Sequence, residues 1–432
     1  MRVLLLSLAV GSVAWATLPA QVPLAQLAEV ARARAERARP AAEAALEPFL
    51  ADLALPYRTS QEFLDKRIGD AAALGDSVVP LLLEKLVPTE NSEKARNLAG
   101  NCRRVLERLD PGAFVDALAE LLNSQYETTR REAIRLLGGA ITPLGERLLL
   151  EQLQKTSGED QRLVLQSLAK HRTKAAARQV VGLLGSADRG LRAEVLDYLT
   201  AARAGSVADT VVQALNAEKE DYLLPRYIAY FGKAVRHNDG AARALLGLIG
   251  QRIDWRDTRE IVNALATVAP PEHEPTIRRL HALLEDEKTS TLAVETAVTL
   301  RALGDRQGVQ RLKRTLDDAL RKPERKREAA LYQQRANLLF ATGDYAEAAD
   351  DYEKIIEYSG GISMTRLAYM GLIRCEANRR RWSQLARVIK NSPLNAGEIE
   401  AMAYDDEVLQ EAFAHDRVES AIEQVRKRLA PK

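Results

Sequence analysis

The chain reads as an all-α protein, an α-α superhelix of repeated helical hairpins, and three observations predict it. An apolar column recurs at Leu106, Leu137, Leu168, Leu199, Phe231, Leu265 and Leu300, at intervals of 31, 31, 31, 32, 34 and 35 residues. Each interval holds two short helices and two turns, and such a period means stacked units that bury their apolar faces against their neighbours. Aromatic residues are only 5% of the chain, while Ala and Leu dominate, which favours helix-on-helix packing. No stretch sustains the period-2 alternation of a strand.

At 432 residues the chain exceeds one ordinary core, a limit that a stack escapes because its core grows along an axis. The formal charge is +2, so no global field draws the protein to nucleic acid or to an anionic membrane. Neither is expected as a partner except through a local patch.

Residues 1–16 read as a signal peptide: Arg2 supplies the positive start, Val3 to Val13 the apolar run, and Ala14-Trp15-Ala16 the cleavage pattern before Thr17. The apolar run falls short of the ~20 residues that span a bilayer, which disfavours the alternative, an uncleaved anchor. The expectation is export to the periplasm or the extracellular space, with no membrane span after cleavage.

Residues 17–59 are expected to form an N-terminal helical cap, with a flexible arm as the alternative. Leu24, Leu27 and Val30 have helical spacing, and Pro40 predicts a division into two helices, because proline clashes inside a helix. Paired helices begin near Ser60, first with Val78 to Leu86 and Lys94 to Leu109. From Leu137 on, the residues three before each column position are apolar, and those four before are mostly so, for example Leu165 with Val164, and Val262 with Ile261. Together they make the stripe of an amphipathic helix. First helices carry the doublets Leu121-Leu122, Leu183-Leu184, Leu245-Leu246 and Leu283-Leu284, and turns such as Asp110-Pro111-Gly112 and Pro270-Pro271 separate the units. Cys102 and Cys375 lie several units apart, beyond the reach of a disulfide, and are expected as separate buried thiols.

Over 60–322 this pattern resembles the HEAT repeat family in its short bacterial form, most closely at Arg130-x-x-Ala133-x-x-x-Leu137-Gly138 and at Arg301-Ala302-Leu303-Gly304-Asp305. The family's second-helix Arg is matched at Arg130 and Arg192, whereas aligned positions hold Ala99, Gln161, Leu224, Thr258 and Ala293. After Lys322-Pro323 the character changes. Tyr332, Ala336, Leu339, Gly343-Asp344-Tyr345, Ala348, Tyr352 and Ile355 resemble a tetratricopeptide repeat, and a weaker copy follows at Tyr369, Leu372, Trp382 and Leu385. There Arg380-Arg381 replaces the turn Gly-Asp. Residues 323–432 are thus expected as tetratricopeptide-like repeats, with one or two closing helices from Glu398 to Leu429.

No catalytic, cofactor-binding or metal-ligating motif is found among the five histidines and two cysteines. Iron hydroxylases on HEAT scaffolds need several His-Glu pairs, and His273-Glu274 stands alone, so it is expected as a solvated turn. Trp255-Arg256-Asp257 invites comparison with glycosylases on HEAT-like folds. Adjacent helical side chains point apart, however, which favours Asp257 as a helix-start residue and Trp255 as packing. The carboxylate clamp of some tetratricopeptide domains is matched only at Asn337, since Gln333 and Gly371 hold the other places.

The reading is therefore a non-catalytic protein–protein interaction scaffold. Its alternative is an enzyme or enzyme subunit of the lyase or hydrolase class on the same scaffold. Tyr222, Arg226, Tyr230 and Arg259 are the candidate anchors, on second helices that line the inner face in HEAT-like stacks. Arg314 and Arg325 mark the densest basic cluster. Asp317, Asp318, Glu324 and Glu328 interleave with that cluster, which also suits a solvated, self-paired helix.

Overall fold

In the computed structural model, residues 24–57, 61–87, 90, 92–251 and 254–429 are described; the leader expected over 1–16 lies outside them. Among the described residues there are 24 α-helices joined by turns and short 3-10 segments, and no strand. The fold is an all-α helical repeat. Two compact units divide it, the first ending at Val235 and the second beginning at Arg236.

The first unit opens with a helix over Leu24–Leu53 that runs through both Pro40 and Pro48, so the expected division at Pro40 does not occur. Each proline lacks a donor, but Ala42, Leu46 and Leu53 are buried against the helices Gln61–Ala72 and Glu93–Arg108. That packing offsets the lost backbone bond. The helix end is also capped from a distance, as Asn101 Nδ2 donates to the carbonyls of Leu53 and Leu55 at 2.8 and 3.0 Å.

Hairpins follow, pairing Val79–Lys85 with Glu93–Arg108, Val115–Leu121 with Glu127–Leu137, Pro143–Lys155 with Gly158–His171, and Ala208–Ala217 with Leu224–Ala234. Every landmark of the apolar column is fully buried, and so are the residues four before, from Cys102 to Thr296. A third column emerges that the spacing did not reveal. The residues immediately before the landmarks, Val105, Leu136, Ser167, Tyr198, Tyr230, Ala264 and Thr299, are all buried. A second helix touches its own first helix and the second helices beside it, so its covered face is wider than that of a surface helix.

Where this third column is polar, it stitches one repeat to the previous one. Ser167 Oγ donates to the Ile134 carbonyl at 2.9 Å, and Thr299 Oγ1 to the Val262 carbonyl at 3.0 Å. Both acceptors stand three before a landmark. The two arginines that match the HEAT pattern share a role too. Arg130 and Arg192 each donate to a carbonyl six residues back, Ser124 and Ser186, at 2.8 Å, and so close the turn inside the hairpin.

The second unit continues with Asp239–Leu248 beside Trp255–Val268, and Glu274–Glu285 beside Ala293–Ala302. Gln307–Arg321 leads into Ala329–Thr342, Tyr345–Tyr358, Ile362–Asn378 and Trp382–Asn391. Packing is continuous through Lys322-Pro323, since Ala297, Leu312 and Leu316 share one buried cluster with Tyr332 and Ala336. Arg335 secures the same place by binding Asp351 in bidentate fashion at 2.7 and 2.8 Å and Asp317 at 2.6 Å.

The weaker repeat copy forms a full hairpin. Gly343 has φ 89° and Arg380, at its equivalent place, φ 54°. The matching backbone bonds, Asp344 N to the Leu339 carbonyl and Arg381 N to the Glu376 carbonyl, are 2.8 and 3.1 Å. Arginine takes the left-handed conformation at a cost that glycine avoids. The tail holds three short helices, Ala396–Ala401, Glu407–Phe413 and Asp416–Leu429, against the one or two expected. Asn395 and Glu398 form a capping box before the first, and the Asp406 carboxylate caps the second.

Candidate functional site

The six candidate anchors divide between the units. In the first, Tyr222 lies in the short turn Asp221–Leu223 and is 46% exposed, with the Arg189 guanidinium 5.8 Å from its ring centre. Arg226 pairs with Asp197 at 3.2 Å on the surface. Tyr230 is a correction. It is fully buried, donates its hydroxyl to the Ala204 carbonyl at 2.9 Å, and packs edge-on to Phe231. Its place one residue before the landmark belongs to the third column, so Tyr230 is a packing residue.

In the second unit Arg259 pairs with Glu295 at 3.1 Å. Arg314 is exposed, and Arg325 binds Glu328 in bidentate fashion at 2.7 and 3.1 Å. The basic cluster around them is paired in part: Arg311 with Glu285 at 2.6 Å, Lys313 with Glu347 at 2.8 Å, Arg321 with Asp318 at 3.1 Å, while Arg314, Lys322, Lys326 and Arg327 have no ion-pair partner among the described residues. Exposed pairs of this kind add little stability.

The groups singled out for chemistry have structural partners. His273 begins the helix Glu274–Glu285, but it is bonded rather than solvated, with Nδ1 2.7 Å from Thr276 Oγ1 and Nε2 2.7 Å from Asp239. Asp257 lies in the first turn of Trp255–Val268, where the cap is Asp254, accepting from the amides of Arg256 and Asp257. The Trp255 side chain lies outside the described residues. Cys102 and Cys375 are separate free thiols, and burial pushes both up to about 12. Among the described residues no three His, Cys, Asp or Glu side chains come together as a metal site.

At the places of the carboxylate clamp, Asn337 Oδ1 accepts from Gln333 Nε2 at 2.8 Å and from the Tyr352 hydroxyl at 2.9 Å. Gly371 is buried beneath the Tyr352 ring. These positions support one another.

The most distinctive surface lies in the second unit. An apolar groove runs between Phe340, at the end of Ala329–Thr342, Arg374 on Ile362–Asn378, and the segment from Met402 to Val408. Tyr404 stands over it at 84% exposure. The loop is fixed, because Gln410 Nε2 donates to the Ala403 carbonyl at 2.8 Å and the Tyr404 carbonyl at 3.3 Å. Phe340 is held by an edge-on contact with Tyr345, ring centres 5.3 Å apart. Three consecutive carboxylates, Asp405, Asp406 and Glu407, line the rim. Only Asp406 meets a cation, Arg374 at 3.9 Å. The sequence signal was the run Tyr404-Asp405-Asp406-Glu407 between capped helices. With one or two closing helices expected over Glu398 to Leu429, the spacing alone places no loop there.

No protein-family model matches the chain, and no curated protein matches it. Two solved engineered proteins, both targets of the Northeast Structural Genomics Consortium, are similar to it. One is 18% identical over 81% of this chain and 97% of its own, with a TM-score of 0.39. The other is 17% identical over 72% of this chain and 97% of its own, with a TM-score of 0.19. Scores this low carry no argument, so the architecture stands on the helices and columns described above.

Proposed function

We propose that the chain is a non-catalytic protein-interaction scaffold, of the HEAT and tetratricopeptide kind, working in the periplasm or at the cell envelope. The observation that carries this is Tyr404, exposed to 84% on a pinned loop above an apolar groove. Tyrosine presents a large amphipathic surface with few rotors, and such residues anchor interfaces. Tyr222 with Arg189 is the corresponding feature of the first unit. Export is supported by Ala14-Trp15-Ala16, and the mature chain should begin at Thr17 by intact mass.

The test is a photoreactive phenylalanine analogue in place of Tyr404 or, as control, of exposed Glu47, each expressed in the native host. A discrete crosslinked protein at position 404, absent at position 47, is expected. Equal background at both positions refutes this reading of the groove.

A further inference from the structure

We propose that the groove beneath Tyr404 takes an extended, basic peptide segment that carries a bulky apolar residue. This rests on the scaffold reading and adds the chemistry of the partner. Phe340, Met402, Tyr404 and Val408 supply the apolar floor and wall. Met402 is buried and Phe340 half-buried, while Tyr404 is 84% and Val408 37% exposed and the chain leaves both uncovered.

Charge selects the occupant. Asp405 and Glu407 are exposed and have no ion-pair partner among the described residues. Arg374, the cation of the groove, is engaged by Asp406. Asp406 is also committed to its own helix, accepting from Leu409 N at 3.1 Å. The two carboxylates on either side of it are therefore left to face a partner. Like charge at such a rim repels an acidic segment, while opposite charge speeds association.

The fold makes the reverse choice difficult. A free carboxyl terminus would need cations on the helices Ala329–Thr342 and Ile362–Asn378. There Gln333 and Asn337 are bonded to each other, and Gly371 has no room for a side chain under Tyr352. Arg366 on the second helix is bound to Glu398. The uncommitted charge at this groove is negative.

The test is display selection of random twelve-residue peptides on the full chain, counter-selected on Tyr404→Ala. That variant removes an exposed ring and keeps the fold, as a circular-dichroism melt will verify. Peptides that depend on Tyr404 should be enriched in Lys or Arg around Leu, Ile, Phe or Trp. The best of them, made with an amidated C-terminus, should bind Asp405→Asn with Glu407→Gln about fivefold or more weakly, and should weaken in high salt. Asp405→Lys with Glu407→Lys should select acidic peptides instead.

Tyr404-dependent peptides that are acidic, or that need a free carboxyl terminus, overturn the proposal and leave the scaffold reading standing. Self-association abolished by Tyr404→Ala assigns the groove to a second copy and overturns it as well. If no peptide depends on Tyr404, and the crosslinker at that position captures nothing, both readings fail together.

Discussion

The ring of Tyr352 lies directly on Gly371, so close that a Cβ there would stand 2.3 Å from Cζ. This contact joins the hairpin of Ala329–Thr342 and Tyr345–Tyr358 to that of Ile362–Asn378 and Trp382–Asn391, and it is why glycine occupies the middle of the helix Ile362–Asn378. Glycine within a helix costs about 0.5–1 kcal/mol relative to alanine, and here close approach of an aromatic ring repays that cost. Gly371→Ala should therefore destabilise the protein by about 1–3 kcal/mol, despite alanine's better helix propensity. Adding Tyr352→Leu should recover part of the loss by making room. Chemical denaturation of the two variants decides it, and a stabilised Gly371→Ala would show that the ring gives way freely.

Leu168→Asp should cost far more than Glu159→Lys. Leu168 is fully buried between stacked helices, and an unpaired charge there costs about 3–5 kcal/mol. Glu159 is exposed and only 3.3 Å from Arg131, which also binds Asp160 and Glu127. Losing one arm of that surface network is worth about 0.2–1 kcal/mol. Thermal midpoints that shift equally in the two variants would mean that the repeat register is wrong.

The repeat period, the buried column and the helix pairing were legible because burial imposes a spacing on apolar residues that survives changes of residue type. The widths of the faces were not. Tyr230 looked available because it stands beside the column, yet Ser167 and Thr299 show that this neighbouring position is interior even where it is polar. A hydroxyl that bonds a carbonyl of the previous repeat leaves no apolar signal to read. Pro40 misled for a related reason, as its local cost is fixed by chemistry whereas the packing of Leu46 and Leu53 is set by distant helices. Tyr404 was invisible because exposure in a short loop follows from where two capped helices begin and end.

Arg203→Gly should stabilise the protein. Arg203 follows the end of a second helix with φ 49°, as Arg172 does in another repeat at φ 53°, while Gly304 fills the same role at φ 96°. A non-glycine residue in that region carries about 1–2 kcal/mol of strain, partly returned by the extra freedom of glycine when unfolded. A net gain of about 0.5–1 kcal/mol is expected in equilibrium unfolding. A loss would show that the Arg203 side chain makes a contact worth more than the strain.

The buried pair of Arg192 and Glu218 should give the first unit an acid-sensitive step. The Glu218 side chain is 3% exposed and meets Arg192 through two bonds of 2.9 and 3.0 Å. Burial alone would raise its carboxyl, but Arg192 and the amides of Glu220 and Lys219 outweigh it and hold Glu218 below the ordinary carboxylate range. A pKa lower in the folded chain than in the unfolded one means the folded state keeps the charge longer. The stabilisation is thus fully present above the unfolded value of about 4.3 and is lost as pH falls through the folded value. Glu218→Gln should lower stability at pH 7 by about 1–3 kcal/mol and flatten the fall in stability below pH ~4.3. Arg192→Ala should cost about 2–4 kcal/mol at pH 7, because it leaves a buried carboxylate without its partner. That second loss should shrink as the pH drops and Glu218 takes up a proton. Denaturation midpoints between about pH 3 and pH 7 separate the two variants. Parallel curves for both variants and the parent would mean that Glu218 is no more acidic folded than unfolded, and that the pair holds the hairpins by shape alone.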